Sequence, residues 1–498
     1  MSNVLDWLDT LALTPTAECH LDSRSVSKGD VFVALQGERV RGQDFILDAI
    51  QRGAVAVLTE GPLDDPGIVP AGVSIFQEKR LREKLAEIAL FFYGNPAKRL
   101  SICGITGTNG KTSVAYTIAQ LWSAQPQQTG AMIGTIGVGL VDRLSENTLT
   151  TPDILSVYRH LKACADQGAT QVAIEASSHA LMQGRIAGLS FESVVFTNLT
   201  QDHLDYHQTM EAYWAAKRRL LTDYPTNYRV INLDDPYGLA FCEACRLGNT
   251  ALPKDTPLLG YTCNATMVNR LPKILAIWVS DITRSAYGIT CVCHSPWGKG
   301  TLKISGIGDF QLSNALAAVG VLCSQGADFH AVLKTLPMIK PVPGRLNKLG
   351  GTDRLPTVMV DFAHTPDALA KALQALRPYC AGKLTVVFGC GGERDKTKRP
   401  LMLREALQYA DTVFITADNP RSEPPEQIVA DMLQATPNQA RITIELNRRL
   451  AIEQAIANAG PKDMVLLAGK GHEMTQVIGT EHQPFSDIAV AQEVLSKA

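Results

Sequence analysis

Residues 104 to 112 read Gly104-Ile-Thr-Gly-Thr-Asn-Gly-Lys-Thr112, three spaced glycines ending in a lysine and a hydroxyl. Residues of these types suit phosphate. Glycines let backbone N–H groups close on phosphate oxygens, Lys111 brings a cation to β- and γ-phosphates, and the Thr112 hydroxyl is a hard ligand for Mg²⁺. An apolar strand from Leu100 to Ile105 precedes the loop and a helix beginning near Ser113 follows it, which favours a nucleotide loop over a plain glycine turn. The spacing departs from the common Gly-x-x-x-x-Gly-Lys-Thr pattern, because Ile105 stands where its first glycine would be.

Three further positions carry chemistry beside this loop. Glu175 ends the strand-like run Gln171 to Glu175, and Asp202-His203-Leu-Asp205 follows the run Val194 to Asn198. Singly these are ordinary polar positions; after successive strands beside a phosphate loop they read as Mg²⁺ ligands. Lys217 falls on the apolar stripe Met210, Tyr213, Trp214, Lys217, Leu220, Leu221, while Arg218 and Arg219 point elsewhere. A lysine extending its ammonium to water is the ordinary account of such a position, and the sequence leaves a modification open.

The elements that position these residues alternate. Asp30 to Leu35 and Ala54 to Leu58 are strand candidates around a helical stretch near Phe45 to Gln51, forming a small α/β domain to residue 98. Residues 99–337 continue with strands at Leu100, Gln171, Val194 and Arg229, interleaved with helices, as βαβ units in a mainly parallel sheet. Residues 338–498 repeat the pattern with strands Thr357 to Asp361, Leu384 to Gly389, Thr412 to Thr416 and Met464 to Ala468, a Rossmann-like α/β domain. Each strand enters a polar loop, and ligands of open parallel sheets bind at those strand ends. The predicted architecture is three α/β domains, as the length of 498 residues suggests.

Composition narrows the partners. With 45% apolar and 19% charged residues and a net charge of −2, neither nucleic acid nor an anionic membrane is an expected partner. Met1 to Leu13 lacks a basic leader with a long apolar segment, and no run approaches the ~18 apolar residues of a membrane span. A cytoplasmic protein is expected, with its eleven cysteines reduced. A zinc site at Cys242, Cys245, Cys291, Cys293 and His294 is the lesser reading, because strand alternation already accounts for Cys291 and Cys293.

With these residues assembled, the sequence resembles the Mur ligase family, and within it the diaminopimelate-adding members, from Leu21-Asp-Ser-Arg24 to Gly469-Lys-Gly-His-Glu473. The motif Thr106 to Thr112 matches the family's own glycine spacing. The resemblance implies an ATP-dependent ligase acting through an acyl phosphate in peptidoglycan precursor synthesis, with ATP and Mg²⁺ as cofactors and a monomeric state. It implies Gly107, Thr108, Asn109, Gly110, Lys111, Thr112, Ser113, Asn314 and Arg345 around ATP, with Gln311 where an asparagine is common, and a C-terminal-domain histidine at His364. Lys111, Glu175, His203 and Lys217 would be catalytic, and Thr112, Glu175, His203 and Lys217 would hold the metal, Lys217 as its carbamate (N6-carboxylysine). Burial suits that modification, since carbamate formation needs a neutral amine.

For UDP-N-acetylmuramoyl-L-alanyl-D-glutamate, the resemblance implies Leu21, Ser23, Glu38, Arg39, Val40, Thr150, Thr151, Ser177, Gln183 and Arg185; Leu149 departs from relatives that carry asparagine. For meso-diaminopimelate it implies Arg394, Asp418, Asn419, Pro420, Arg421, Gly469 and Glu473. An arginine fork grips a second carboxylate that lysine lacks. A ligase of the folylpolyglutamate synthetase type is the nearest alternative. A nucleotide switch is the alternative from another class; against it, the only Asn-Lys pair continues Asn347-Lys348-Leu349-Gly350 and is no guanine signature.

Overall fold

The computed structural model describes residues 3–37, 40–63, 69–147, 149–250, 252, 256–270, 274–434 and 440–497. The chain forms two compact units, one of residues 1–104 with 127–192 and one of residues 105–126 with 193–498. Among the described residues, no helix is long and apolar enough to cross a membrane.

In the first unit, strands Cys19–His20, Val31–Ala34, Ala56–Thr59 and Ser74–Gln77 pair in sequence order, all parallel. Val31–Ala34 and Ala56–Thr59 are buried throughout, as covered parallel strands require. The helix expected near Phe45 to Gln51 is Ile46–Arg52, entered through a 3₁₀ turn, Gly42–Phe45. Helix Leu81–Tyr93 buries Leu81, Leu85, Ile88 and Ala89, a single stripe at helical spacing, and packs on helix Ile154–Asp166. Strand Gln171–Glu175 pairs in parallel with Gly130–Gly134, which turns back as Gly137–Leu140.

A charged cluster fastens Arg159 to the N-terminal sheet. Its Nη1 lies 2.9 Å from His20 Nδ1, and His20 Nε2 lies 3.1 Å from Asp30 Oδ2. Arginine only donates, so Nδ1 accepts and Nε2–H donates, which makes His20 a neutral imidazole. Burial and then Arg159 hold its pKa below the usual histidine value.

The second unit contains the phosphate loop, helix Lys111–Ser123, strands of two large sheets and the hairpin Thr475–Ile478 with Glu481–Pro484. Strands Thr226–Asn232, Leu258–Thr262 and Leu275–Ser285 are parallel, and an antiparallel meander, Gly288–Ser295 and Gly298–Ser305, follows; of that meander the sequence reading had only the alternation at Cys291 and Cys293. Helix Asp309–Ser324 packs on helix Lys111–Ser123. The C-terminal sheet runs Asn347–Gly350, Thr357–Asp361, Met464–Ala468, Leu384–Phe388, Thr412–Ile415, Ile442–Ile444, parallel except for its first strand. Strand alternation sends Val358, Val360, Val387, Val465 and Leu467 to one core and Met359, Val386, Phe388 and Leu466 to the other, so helices cover both faces. The last long strand, Met464–Ala468, lies between Thr357–Asp361 and Leu384–Phe388, and the chain order reverses there. The loops after these strands hold the C-terminal candidate residues.

Candidate active site

The phosphate loop is held by side chains that follow the neighbouring strand. That strand is Phe191–Phe196, shorter at its C-terminal end than the expected run to Asn198, because the next two residues leave the ladder to bind the loop. Thr197 Oγ1 donates to Asn109 O at 2.6 Å, and Asn198 Oδ1 accepts from Asn109 N–H at 2.9 Å. Two glycines are required by space: a Cβ on Gly107 would lie 1.8 Å from Thr197 Oγ1, and one on Gly110, at φ +87°, 2.6 Å from Asn314 Oδ1. Lys111 opens the helix, two residues before the expected start, and its Nζ donates to the Gly107 and Thr108 carbonyls, both at 2.9 Å.

Residues of the C-terminal sheet approach the same loop. Asn109 Nδ2 donates to Asp367 Oδ2 at 3.2 Å, and Arg345 Nη2 lies 3.3 Å from Thr112 Oγ1. The Arg345 guanidinium sits 4.6 Å from the centre of the Phe362 ring. A cavity of about 800 Å³ opens between them, lined by Asn109, Gly110, Ser113, Asn314, Arg345 and His364 among others, a volume suited to a nucleotide-sized ligand. His364 Nδ1 lies 2.8 Å from Phe362 O and therefore carries the proton. Burial and then Lys398 push its pKa down to about 4, so the ring is neutral at pH 7. Thr365 caps helix Pro366–Leu376, as its residue type suggests.

Asp202 is the buried hub beside the loop. Lys398 Nζ lies 3.0 Å from its carboxylate, His203 Nε2 3.3 Å and His364 Nε2 3.8 Å. Burial alone would raise its pKa, but Lys398, His203 and His364 together hold it far below the usual carboxylate range. His203 itself has a left-handed backbone, φ +55°, a conformation rare outside glycine that recurs at functional sites. Lys217 is 1% exposed. Its Nζ donates to Gly107 O at 2.7 Å and sits 4.5 Å from the Tyr213 ring centre. Burial and then Lys111 hold its pKa well below the usual lysine value, so the amine is far more readily neutral than one extended into water.

Glu175, Thr150, Thr151, Ser177, Gln183 and Arg185 belong to the first unit and are brought together there. The fully buried Glu175 carboxylate accepts from Thr135 N–H at 2.8 Å and from Thr135 Oγ1 at 3.2 Å, and that hydroxyl lies 3.2 Å from Thr150 Oγ1. Thr151 Oγ1 donates to Glu175 O at 2.6 Å and accepts from Ser177 N–H at 3.1 Å. Arg185 Nη1 donates to Thr151 O at 2.7 Å, while its other nitrogens grip Gln183 Oε1 at 2.7 and 3.0 Å. Thr135 and Asn147, which bonds Gly134 O at 2.9 Å, were not legible in the sequence, having no motif of their own. Ser23 is buried and Val40 exposed, Leu21 is half-buried, and Glu38 and Arg39 lie outside the described residues.

The third group sits on loops of the C-terminal sheet. Arg421, with φ +54°, donates from Nη1 to Gly392 O at 2.9 Å and Asn419 O at 3.3 Å. Burial and then the neighbouring Arg394 lower its pKa, and both side chains lie beside Gly391. Asn419 Nδ2 donates to Glu473 Oε2 at 3.0 Å, and Gly469 lies against Asp418. Arg399 holds these loops together from below. It is fully buried, with Glu423 at 2.7 and 2.8 Å and Asp431 at 2.7 Å, and keeps the Glu423 carboxyl at about 2. Glu423 in turn accepts from Glu393 N–H at 3.1 Å. Lys398 and Arg399 were missed because Arg-Asp-Lys-Thr-Lys-Arg reads in sequence as a solvated charge run.

Among the described residues, no three His, Cys, Asp or Glu side chains form a metal-binding group. Cys242, Cys245, Cys291 and Cys293 are buried free thiols. Within the second unit the side chains of these types beside the loop are the Thr112 hydroxyl, the His203 imidazole and a readily neutral Lys217 amine, and within the first unit the Glu175 carboxylate. A hydroxyl, a carboxylate and one imidazole are donor types that suit a hard divalent cation better than a soft one.

A strand, glycine loop and helix joined to a nucleotide-sized cleft and a Rossmann-like sheet define a nucleotide-dependent α/β enzyme. Three consecutive segments match known families: residues 17–93 the Mur ligase family catalytic domain, 105–322 the Mur ligase middle domain and 344–471 the Mur ligase glutamate ligase domain. The chain belongs to the Mur ligase family. It is 42% identical over 479 residues, 96% of its length and 95% of the relative's, to the UDP-N-acetylmuramoyl-L-alanyl-D-glutamate--2,6-diaminopimelate ligase of Ectopseudomonas mendocina (strain ymp). A solved structure of a ligase of that name superposes with a TM-score of 0.64 at 34% identity, covering 96% of this chain and 94% of that one. Folylpolyglutamate synthase of Mycobacterium tuberculosis, complexed with ADP and AMPPCP, shares the fold, with a TM-score of 0.61 at 17% identity over 78% of this chain and 94% of that one.

Proposed function

We propose that the protein is a cytoplasmic ligase that uses ATP to join meso-diaminopimelate to UDP-N-acetylmuramoyl-L-alanyl-D-glutamate, releasing ADP and phosphate, in peptidoglycan precursor synthesis. One observation supports the amino-acid assignment: Arg394 and Arg421 both lie beside Gly391, and Asn419, two residues before Arg421, binds the Glu473 carboxylate at 3.0 Å. That set complements an amino-acid end with its own carboxylate and ammonium. The identity to ligases named for diaminopimelate supports the same reading.

In this reading the loop amides and Lys111 bind the phosphates of ATP, and Arg345 braces the Thr112 hydroxyl beneath them. Asn314, packed on Gly110, faces the nucleotide cleft. The γ-carboxylate of D-glutamate attacks the γ-phosphate and forms an acyl phosphate. The incoming amine then displaces phosphate through a tetrahedral intermediate. Most of this catalysis is positioning and charge stabilisation. In the second unit Thr112, His203 and Lys217 as its carbamate, and in the first Glu175, are the residues that would serve as Mg²⁺ ligands; the ion, when bound, neutralises charge on the transferring phosphoryl group. A carbamate keeps one N–H, so Lys217 retains its bond to Gly107 O while gaining two anionic oxygens. Arg185, held by Gln183 and Thr151, offers a cation to the anionic UDP-muramoyl substrate, with Ser177 and Thr150 as hydroxyl partners. The Asn109–Asp367 and Lys398–Asp202 contacts keep the C-terminal sheet against the phosphate loop, which shields the acyl phosphate from water.

The test is ADP release with the UDP-muramoyl dipeptide, Mg²⁺ and a panel of amino acids. Release is expected only with all three components and with meso-diaminopimelate as the favoured acceptor. Release driven by a folate acceptor, or by ATP alone, would overturn the reading.

A further inference from the structure

The amino-acid pocket contains a buried cation that the proposed reaction does not use. Lys470 has no exposed surface. Its Nζ donates to Asn419 Oδ1 and to Glu473 Oε2, both at 2.9 Å, and lies 3.5 Å from Asp418 Oδ1. Asn419 Nδ2 donates to the same Glu473 oxygen at 3.0 Å, and Val477 N–H fixes the Asn419 carbonyl at 3.0 Å. Lys470, Asn419 and Glu473 therefore form a closed triangle.

The triangle sets the direction of a carboxylate. Glu473 Oε2 receives two N–H donors from inside the domain, while the side chain stays 31% exposed. Its second oxygen accepts no hydrogen bond among the described residues, so it is available to a donor from the cleft. Behind the triangle, Asp418 Oδ1 is buried without a hydrogen-bond partner, and the buried Arg448 binds Asp487 at 2.6 and 2.8 Å while its Nη1 also lacks a partner. Lys470 is thus a side chain in contact with both Asp418 and Glu473, and its loss would take from Glu473 one of the two donors that orient its carboxylate.

We propose that Lys470 is a positioning residue for the incoming amino acid: it acts through Glu473 and Asn419, holding the carboxylate in the orientation that receives the distal ammonium. This rests on the diaminopimelate reading above. A lysine that merely stabilises the domain would, when lost, depress every kinetic constant alike.

The experiment is a double-mutant cycle of Lys470→Met and Glu473→Gln, read as KM for diaminopimelate, ATP and the UDP-muramoyl dipeptide, with thermal unfolding of each variant. Lys470→Met is expected to raise KM for diaminopimelate by at least about tenfold, the scale of one charged hydrogen bond, and to leave the other two KM values within about twofold. In the Glu473→Gln background the same change should add less than about threefold, because the group it acts through is already gone. Equal loss for all substrates, or a full additional effect in that background, would overturn the proposal. Should Lys470→Met not fold, Asn419→Ala removes another corner of the triangle and must give the same selective rise; an unselective loss there overturns the proposal. Wild-type turnover with diaminopimelate is the separate control. Its absence sinks the amino-acid assignment, and the accepted amino acid then takes its place in the same cycle.

Discussion

The phosphate loop and the proposed amino-acid pocket belong to the same compact unit but are built in opposite ways. The loop is seven consecutive residues, Thr106 to Thr112, whose shape follows from local backbone conformation and two glycines that Thr197 and Asn314 leave no room to replace. The pocket is assembled from three loops at the ends of separate strands, Gly391 to Asp395, Asp418 to Glu423 and Gly469 to Glu473, and is held by buried ions beneath it. A contiguous backbone site carries its own motif in the sequence and depends most on Lys111, the cation within it. A site assembled by topology depends on supports that never touch the ligand.

The largest effect is expected in the loop. Lys111→Ala removes the cation for the transferring phosphoryl group and should lower kcat by about 10³-fold or more, with the fold intact; near-normal turnover would remove the loop from the mechanism. Lys217→Ala should lower kcat by about 10²-fold or more. Short-chain carboxylates at high concentration should restore part of it by standing in for the carbamate oxygens. An unmodified Lys217 by intact mass, together with an active alanine variant, would exclude the carbamate.

The pocket side of the comparison is sharpened by Arg399→Met. This leaves Glu423 and Asp431 without their buried partner, a change expected to cost about 3–5 kcal/mol of stability, and it should raise KM for diaminopimelate before that for ATP. Denaturant unfolding and the two KM values check it; an unchanged stability would mean that the loops are held otherwise.

Smaller still is a pH effect. His20, His160 and His364 are all held below the usual histidine pKa, chiefly by burial. The unfolded chain therefore takes up protons first as pH falls past about 6.5. Stability is full above that value and declines toward the depressed folded values, about 4 for His364. Thermal unfolding between pH 7.5 and 4.5 should show this slope, and His20→Gln should flatten it.

The same contrast explains what the sequence disclosed. Strands Gln171–Glu175, Thr357–Asp361 and Met464–Ala468 have the bounds that their apolar runs suggest, because a buried parallel strand is a local apolar signal. Lys217 lies on the buried stripe, but its ammonium does not reach water as the ordinary account of that position expects: it is buried and turns to the Gly107 carbonyl. Of the meander from Leu275 to Ser305 only the alternation at Cys291 and Cys293 was read, because the flanking strands Leu275–Ser285 and Gly298–Ser305 carry many exposed polar residues and a weak apolar signal. Arg399, Lys398 and Lys470 were missed because a buried charge looks like a solvated one until its partner, 24 to 196 residues away in the case of Arg399 and Lys398, is brought beside it.

The central claim is that Arg421 and its neighbours select an amino acid with a second carboxylate. The direct measurement is the ratio of kcat/KM for meso-diaminopimelate to that for lysine, in the wild-type protein and in Arg421→Ala. Lysine presents the same reacting amine but leaves the guanidinium unpaired in the pocket, so the wild-type ratio should be at least about 100-fold. In Arg421→Ala the ratio should collapse through a raised KM for diaminopimelate, with lysine remaining a poor substrate. Similar specificity constants for the two amino acids in the wild-type protein would contradict the account.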